Sequence, residues 1–318
     1  MSTAICLLRL TDAERDAFRA AWPQAIHFAP VESQNGFVDM TPFAPLSDDV
    51  QVILGCPSPA TLSLFPRLKW LQTWTAGVDP YLAPGVLPRG AALTSAVGAY
   101  GPAVSEHMLS CTLSLMKRLP AYHTDQQNPV WQDRGGVASF LGATVLLLGT
   151  GDIGSHYAAS AKALGAHTVG LNRHPERPIS AMDELYHISQ LDTWLPRADV
   201  VAMSLPGTPE TTHIIDARRL GLMKPTAILV NAGRGTAVDA LALADALNRG
   251  HLWGAALDVT QPEPLPQGHP LWSCPGLLLT PHVAGGDHMG ATCRRIAAIA
   301  LDNVGRYVAG QPLRNRMN

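Results

Sequence analysis

Hydrophobic positions along this chain fall into short blocks separated by stretches of helical spacing. In the first hundred residues Ala4–Leu10, Val50–Leu54, Leu68–Thr73 and Ala91–Ser95 read as strands. Thr11 or Asp12 caps a helix reaching about Ala21. Pro102 suits the first turn of a longer helix to Leu119, in which Ala103, Val104, His107, Met108, Cys111 and Leu115 recur at helical spacing; Pro120 ends it. Asn128–Gly136 reads as loop. Val145–Leu148 is an unbroken apolar run, the pattern of a strand buried on both faces. Further strands are predicted at His167–Leu171, Val200–Ser204, Ile228–Val230, Gly254–Leu257 and Leu277–Thr280. Helices fit between most of them, among them Ser155–Leu164 and Ala237–Asn248, and Gly290–Val308 is a last helix. Strands alternating with helices predict an α/β fold of parallel sheets.

Composition narrows the field. A length of 318 residues suggests two domains. With 47% hydrophobic and 15% charged residues the chain is not largely disordered. Charge is balanced, 23 Lys+Arg against 25 Asp+Glu, and no basic stripe stands out, so nucleic acid is not an expected partner. No apolar run approaches the roughly 18 residues of a membrane span. Cys6, Cys56, Cys111, Cys274 and Cys293 form no C-x-x-C pair. Neither a disulfide framework nor a metal site is expected, and reduced thiols in a cytoplasmic protein are. Ala4-Ile5-Cys6-Leu7-Leu8 reads as a first strand rather than a signal peptide.

Gly149-Thr150-Gly151-Asp152-Ile153-Gly154 is a G-x-G-x-x-G turn between a buried strand and a helix. Each glycine has a physical task in binding a dinucleotide: the tight turn, close approach of backbone to pyrophosphate, and packing of helix on strand. Amides at the helix start then meet the phosphates. The plainer alternative is a glycine turn in a flavodoxin-like sheet with no ligand. The next strand ends at Asn172-Arg173-His174, eighteen residues past Gly154 at its start. An NAD site usually carries Asp or Glu there to bind the ribose hydroxyls. Asn172 beside Arg173, with Arg177 nearby, favours the extra phosphate of NADP(H); NAD(H) is the alternative.

Four more segments follow in order: Thr75-Ala76-Gly77-Val78-Asp79; Asn231-Ala232-Gly233-Arg234-Gly235 with Val238-Asp239; Asp258-Val259 through Pro262-Glu263-Pro264-Leu265; and Thr280-Pro281-His282-Val283-Ala284-Gly285. With the glycine turn, Leu205-Pro206 with Pro209-Glu210-Thr211, and Tyr100-Gly101-Pro102 through Glu106-His107, they closely resemble the D-isomer-specific 2-hydroxyacid dehydrogenases over almost the whole chain.

The resemblance implies a Rossmann cofactor domain, residues 101–287, inserted into a smaller flavodoxin-like α/β substrate domain made of residues 1–100 and the returning helix of 288–318. It assigns catalysis to Arg234, Glu263 and His282. His282 is the general acid that protonates a keto oxygen, and the base in reverse. Glu263 fixes the ring's tautomer. Arg234 grips the substrate carboxylate with a planar fork, and the amides around Ala76 and Gly77 bind its other side. The cofactor residues it implies are Gly149, Gly151, Asp152, Ile153, Gly154, Asn172, Arg173, His174, Leu205, Pro206, Thr211, Ala232, Gly233, Arg234, Asp258, His282, Ala284 and Gly285, with Asp258 on the nicotinamide carboxamide. His288 reads as a helix-start residue, and Trp74, Tyr100 and Trp272 as buried packing. The expected protein is a homodimeric, NADPH-preferring reductase of glyoxylate or hydroxypyruvate kind, its interface built mostly from the Rossmann domain; the helix from Pro102 to Leu119 offers an apolar surface, as an interface helix or an interdomain one. A non-enzymatic nucleotide-sensing regulator and a formate- or phosphite-oxidising enzyme on the same fold are the alternatives.

Overall fold

The computed structural model describes residues 3–29, 36–286 and 289–318. Along the chain run β1 (Thr3–Cys6), α1 (Asp12–Ala21), β2 (Ile26–Phe28), β3 (Val50–Leu54), β4 (Trp70–Gln72), β5 (Ala92–Thr94), α2 (Gly101–Met116), α3 (Leu119–Gln127), β6 (Thr144–Leu148), α4 (Asp152–Ala163), β7 (His167–Asn172), β8 (Glu184–His187), α5 (Leu191–Trp194), β9 (Val200–Met203), α6 (Ala217–Leu220), β10 (Ile228–Asn231), α7 (Ala240–Asn248), β11 (Gly254–Leu257), β12 (Leu277–Leu279) and α8 (Gly290–Val308). The backbone forms two compact units, Met1–Tyr100 with Asp287–Asn318, and Gly101–Gly286.

The first unit is a five-stranded parallel sheet in the order β2-β1-β3-β4-β5, the flavodoxin-like arrangement. Alternation along β1 divides its apolar residues between two cores. Ala4 and Cys6 face one, where Ile296, Ala300 and Val304 of α8 cover the sheet. Ile5 and Leu7 face the other, with Leu62, Phe65 and Tyr81. Cys6 behaves as a small hydrophobe: burial pushes its thiol up to about 12. Tyr307 of α8 stacks on Trp22 and Trp70, with ring centroids 5.9 and 5.1 Å away. The buried Asn303 donates to Gln72 Oε1 (2.8 Å) and accepts from Arg314 N (2.8 Å), tying α8 to β4 and to the C-terminal segment.

The second unit is a seven-stranded sheet in the order β12-β11-β10-β9-β6-β7-β8, again all parallel. This is the doubly wound dinucleotide-binding order with one strand added beyond β11. The run Val145–Leu148 is buried throughout. Leu146, Leu148, Val201, Met203, Leu229 and Leu257 share one core with α7. Helices α2 and α4 pack together, and across them the buried Tyr157 hydroxyl meets Thr112 Oγ1 at 2.8 Å.

Four sequence expectations change here. The helix begun near Pro102 stops at Met116; Arg118 turns left-handed (φ 56°), and Pro120 sits in the first turn of α3 rather than closing α2. A proline in a first turn loses no hydrogen bond, so it opens a helix as readily as it ends one. The helix expected from Ala237 begins at Ala240, because Asp239 caps it by accepting from Leu241 N and Ala242 N (3.1 and 3.0 Å). Strands β2 and β8 were not expected. Trp272 is exposed, its indole donating to Pro266 O (2.8 Å), whereas Tyr100 is half-buried and donates to the Trp74 carbonyl. His288, and the expected boundary at 287–288, lie outside the described residues. No helix among the described residues is long and apolar enough to cross a membrane.

Candidate active site

Because all seven strands of the second unit run one way, their carboxyl ends share a single edge of the sheet. Strand order reverses between β6 and β9. Ligands of open α/β sheets bind beyond that edge at the point of reversal. The glycine turn, the Asn172 loop, and the segments bearing Arg234, Asp258 and His282 all begin there.

The turn after β6 is tight: Gly149 has φ 95°, and a Cβ at Gly154 would lie 2.1 Å from the Gly149 carbonyl oxygen. Only glycine lets α4 start so close to the strand. Above Gly151 the space is open, since a Cβ there meets nothing within 4 Å. First-turn amides of α4 have no acceptor within the helix, and the helix dipole favours an anion beside them. These residues fit the pyrophosphate of a dinucleotide. The Asp152 side chain points elsewhere, accepting from Gly101 N at 2.6 Å and lying 3.4 Å from His156 Nδ1. Its charge is committed to the start of α2.

Asn172 braces the loop after β7. It donates to Thr150 Oγ1 and accepts from His174 N, both at 2.8 Å. Glu176 lies 3.4 Å from His174 on the same loop. Thr211 closes the loop after β9 by donating to Pro206 O (2.8 Å) and accepting from Thr208 N (2.9 Å). Glu210 in that loop is held below the ordinary carboxylate range, first by the Thr208 hydroxyl and last by the charge of Arg173.

After β10, Asn231 shapes the turn that carries Arg234: its side chain accepts from Gly233 N (3.0 Å) and donates to Arg234 O (2.9 Å). Gly233 is needed because a Cβ there would meet the Leu205 backbone at 2.7 Å. Ala232 N donates to Met203 O (3.1 Å). Arg234 is half-buried, and one of its guanidinium nitrogens donates to Gly233 O (2.9 Å).

His282 and Glu263, nineteen residues apart, meet in space: Nδ1 is 2.6 Å from Glu263 Oε1. Both are partly open to solvent (side chains 53% and 40% exposed). With Nδ1–H donating to the carboxylate, Nε2 is the atom left to give or take a proton. His282 has φ 54°, a left-handed conformation costing a non-glycine residue about 1–2 kcal/mol. Asp258 holds it there. The Asp258 carbonyl accepts from His282 N (2.8 Å), and its buried carboxylate accepts from Val283 N (2.9 Å) and Ala284 N (3.1 Å). Gly285 continues the same turn.

The first unit holds Ala76 and Gly77 in the loop after β4. Thr75 O accepts from Thr73 Oγ1 (2.9 Å) and Ala96 N (2.9 Å), while Gly77 O accepts from Thr75 Oγ1 (2.7 Å). Sequence reasoning left out Thr280 and His107. Thr280 Oγ1 donates to Asp258 Oδ1 at 2.6 Å, and His107 Nε2 lies 3.1 Å from the same hydroxyl. Both residues stood inside the segments quoted for the family resemblance; nothing in their spacing shows that they touch.

The D-isomer specific 2-hydroxyacid dehydrogenase NAD binding domain pattern matches residues 109–284. A glyoxylate reductase of Thermofilum pendens is 34% identical over 254 residues, 77% of this chain and 74% of that protein. Among solved structures, a D-isomer specific 2-hydroxyacid dehydrogenase family protein from Aeromonas salmonicida superposes with a TM-score of 0.85 at 32% identity, covering 100% of this chain and 99% of the other. An NADPH-dependent glyoxylate/hydroxypyruvate reductase from Sinorhizobium meliloti, solved with NADP and sulfate, gives 0.79 at 25% identity over 100% and 98% of the two chains. By pattern, sequence identity and fold together, this chain belongs to the D-isomer specific 2-hydroxyacid dehydrogenases and is an NAD(P)-dependent oxidoreductase.

Proposed function

We propose that the protein reduces a small 2-keto acid, of the glyoxylate or hydroxypyruvate kind, to the D-2-hydroxy acid, drawing on NADPH before NADH. The observation that carries this reading is the 2.6 Å contact of Glu263 with His282 Nδ1, which leaves Nε2 to protonate a keto oxygen. A nicotinamide dinucleotide, when bound, supplies the hydride. Gly149–Gly154 hold its pyrophosphate through backbone amides. Arg234 grips the substrate carboxylate and polarises the carbonyl. In the first unit the carbonyls of Thr75 and Gly77 are already engaged as hydrogen-bond acceptors. Glu263 is a positioning residue: it orients the ring and steadies the imidazolium that forms in the reverse direction. Names of relatives acting on glyoxylate and hydroxypyruvate support the substrate class. A panel of glyoxylate, hydroxypyruvate, pyruvate, phenylpyruvate and branched keto acids, each with NADPH and NADH, tests the proposal; no oxidation of either cofactor by any of them overturns it.

Cofactor choice rests on Arg173. The 2′-phosphate of NADPH brings about two negative charges to the loop after β7. Arg173 meets it with charge-assisted hydrogen bonds of roughly 1.5–3 kcal/mol, about ten- to a hundredfold in affinity. Arg173→Ala is expected to remove that preference in kcat/KM. The loop is exposed, so the wild-type preference is expected to shrink as salt rises. A wild type that prefers NADH, or an alanine variant that keeps the full NADPH preference, would refute the assignment.

The proposed assembly is a homodimer built mostly through the dinucleotide-binding unit. Helix α2 buries Val104, Met108, Leu115 and Met116, whereas residues 130–141 expose Val130, Trp131, Val137 and Leu141. Exposed apolar side chains concentrated in one stretch of chain support a surface that a second copy would cover. Light scattering is expected to give the dimer mass at micromolar concentration and a lower mass for Trp131→Glu; a monomeric wild type ends the proposal.

A further inference from the structure

We propose that Thr280 and His107 are positioning residues which, acting through Asp258, hold the His282 turn in its reacting conformation. This rests on the assignment of His282 as the proton donor. Three elements meet at the buried Asp258 carboxylate: α2 brings His107, the end of β11 brings Asp258 itself, and the end of β12 brings Thr280. The hydrogen-bond directions follow from the groups present. Asp258 accepts only, so the Thr280 hydroxyl donates its single proton at 2.6 Å. Thr280 Oγ1 must then accept from His107 Nε2–H at 3.1 Å. Cys111 Sγ lies 3.6 Å from the same nitrogen. Its thiol is pushed up by burial and by the Asp258 charge, so it stays a neutral neighbour of the chain. Among the described residues, His107, Cys111 and Asp258 are the titratable groups joined by these contacts.

At the far end the same carboxylate accepts from Val283 N and Ala284 N, and the Asp258 carbonyl from His282 N. One residue therefore binds three successive amides of a turn whose first member is in a left-handed conformation. A carboxylate this buried needs its full set of donors to stay put. Removing the Thr280 hydroxyl deprives Oδ1 of its shortest hydrogen bond and loosens the backbone that aims His282.

The test compares Thr280→Val, which keeps the shape and loses the hydroxyl, with Thr280→Ser, which keeps the hydroxyl, and with His107→Phe. Two readouts are taken on the full chain: amide hydrogen exchange over residues 282–284, and kcat, KM and NADPH affinity with glyoxylate and hydroxypyruvate. Thr280→Val is expected to speed exchange in the turn at least about tenfold. It is also expected to lower kcat about 10- to 100-fold, the range for losing one hydrogen bond to a charged group, with KM and NADPH affinity changed less than about threefold. His107→Phe moves both readouts the same way by less, and Thr280→Ser restores both. Unchanged exchange in Thr280→Val overturns the proposal. Faster exchange with wild-type kcat overturns it too, as does a serine variant as impaired as the valine one. Should Thr280→Val not fold, His107→Phe and Thr280→Ser decide by the same criteria. A wild type idle with both keto acids, yet with a turn that loosens in Thr280→Val and recovers in Thr280→Ser, supports the positioning and refutes the substrate assignment.

Discussion

Replacing His282 by asparagine is expected to lower kcat about 10²- to 10⁴-fold, the usual contribution of a general acid, while NADPH affinity stays within a small factor. Asparagine is the informative substitution because the backbone at 282 is left-handed (φ 54°). Asn tolerates that region better than alanine does, so the turn survives and the proton donor does not. The loss is then chemical rather than conformational. Glu263→Gln is expected to cost less, about tenfold on the scale of one charge-assisted hydrogen bond. Its amide oxygen can still accept from Nδ1–H, but it brings no charge to steady an imidazolium. Steady-state kinetics with glyoxylate, alongside dinucleotide titration by fluorescence, separates the two effects. A His282→Asn enzyme within tenfold of wild-type kcat would remove the residue from its role.

The second large effect is expected at Arg234. A guanidinium that meets a carboxylate with two hydrogen bonds of roughly 1.5–3 kcal/mol each stands to lose both in Arg234→Ala, about 10²- to 10⁴-fold in kcat/KM for the keto acid. Arg234→Lys keeps the charge and one contact, so about half of that loss, on the logarithmic scale, is expected to return. The Asn231 side chain braces the turn from both sides and Gly233 fits it, the guanidinium adding one contact to the Gly233 carbonyl, so both variants should fold. Equal kcat/KM in wild type and the alanine variant would contradict the assignment.

What the sequence made legible follows from what burial writes into it. Val145–Leu148 is a continuous apolar run because the strand is covered on both faces, and the structure buries all four residues. Thr11 announced α1 by its side chain, which accepts from Glu14 N at 3.3 Å. Strands β2 and β8 escaped notice because they are edge strands: neither holds a fully buried residue, and Glu184-Leu185-Tyr186-His187 shows no apolar block. Pro120 suggests a stop because proline disrupts a helix interior, yet it stands in the first turn of the next helix. The pairing of Glu263 with His282 was expected through family resemblance; nineteen residues of irregular chain carry no periodicity that would bring them together. Thr280 and His107 were missed because a hydrogen bond between side chains on different elements leaves no trace in spacing.

The shared carboxyl edge of the second sheet has one more consequence. Arg234, Asp258 and His282 each stand within three residues of the ends of β10, β11 and β12, which are successive neighbours in the sheet. The paired strand ends from which these groups spring, Asn231, Leu257 and Leu279, are spaced by the inter-strand distance of about 4.8 Å, a ruler made of backbone hydrogen bonds. Helices and connections on the far side can lengthen, shorten or change composition without moving its divisions. Slipping one strand by a single residue would displace its functional group by about 3.3 Å, more than the length of a hydrogen bond. Drift in substrate preference is thus open to this protein wherever loops alone change, and closed wherever it would need a change of register.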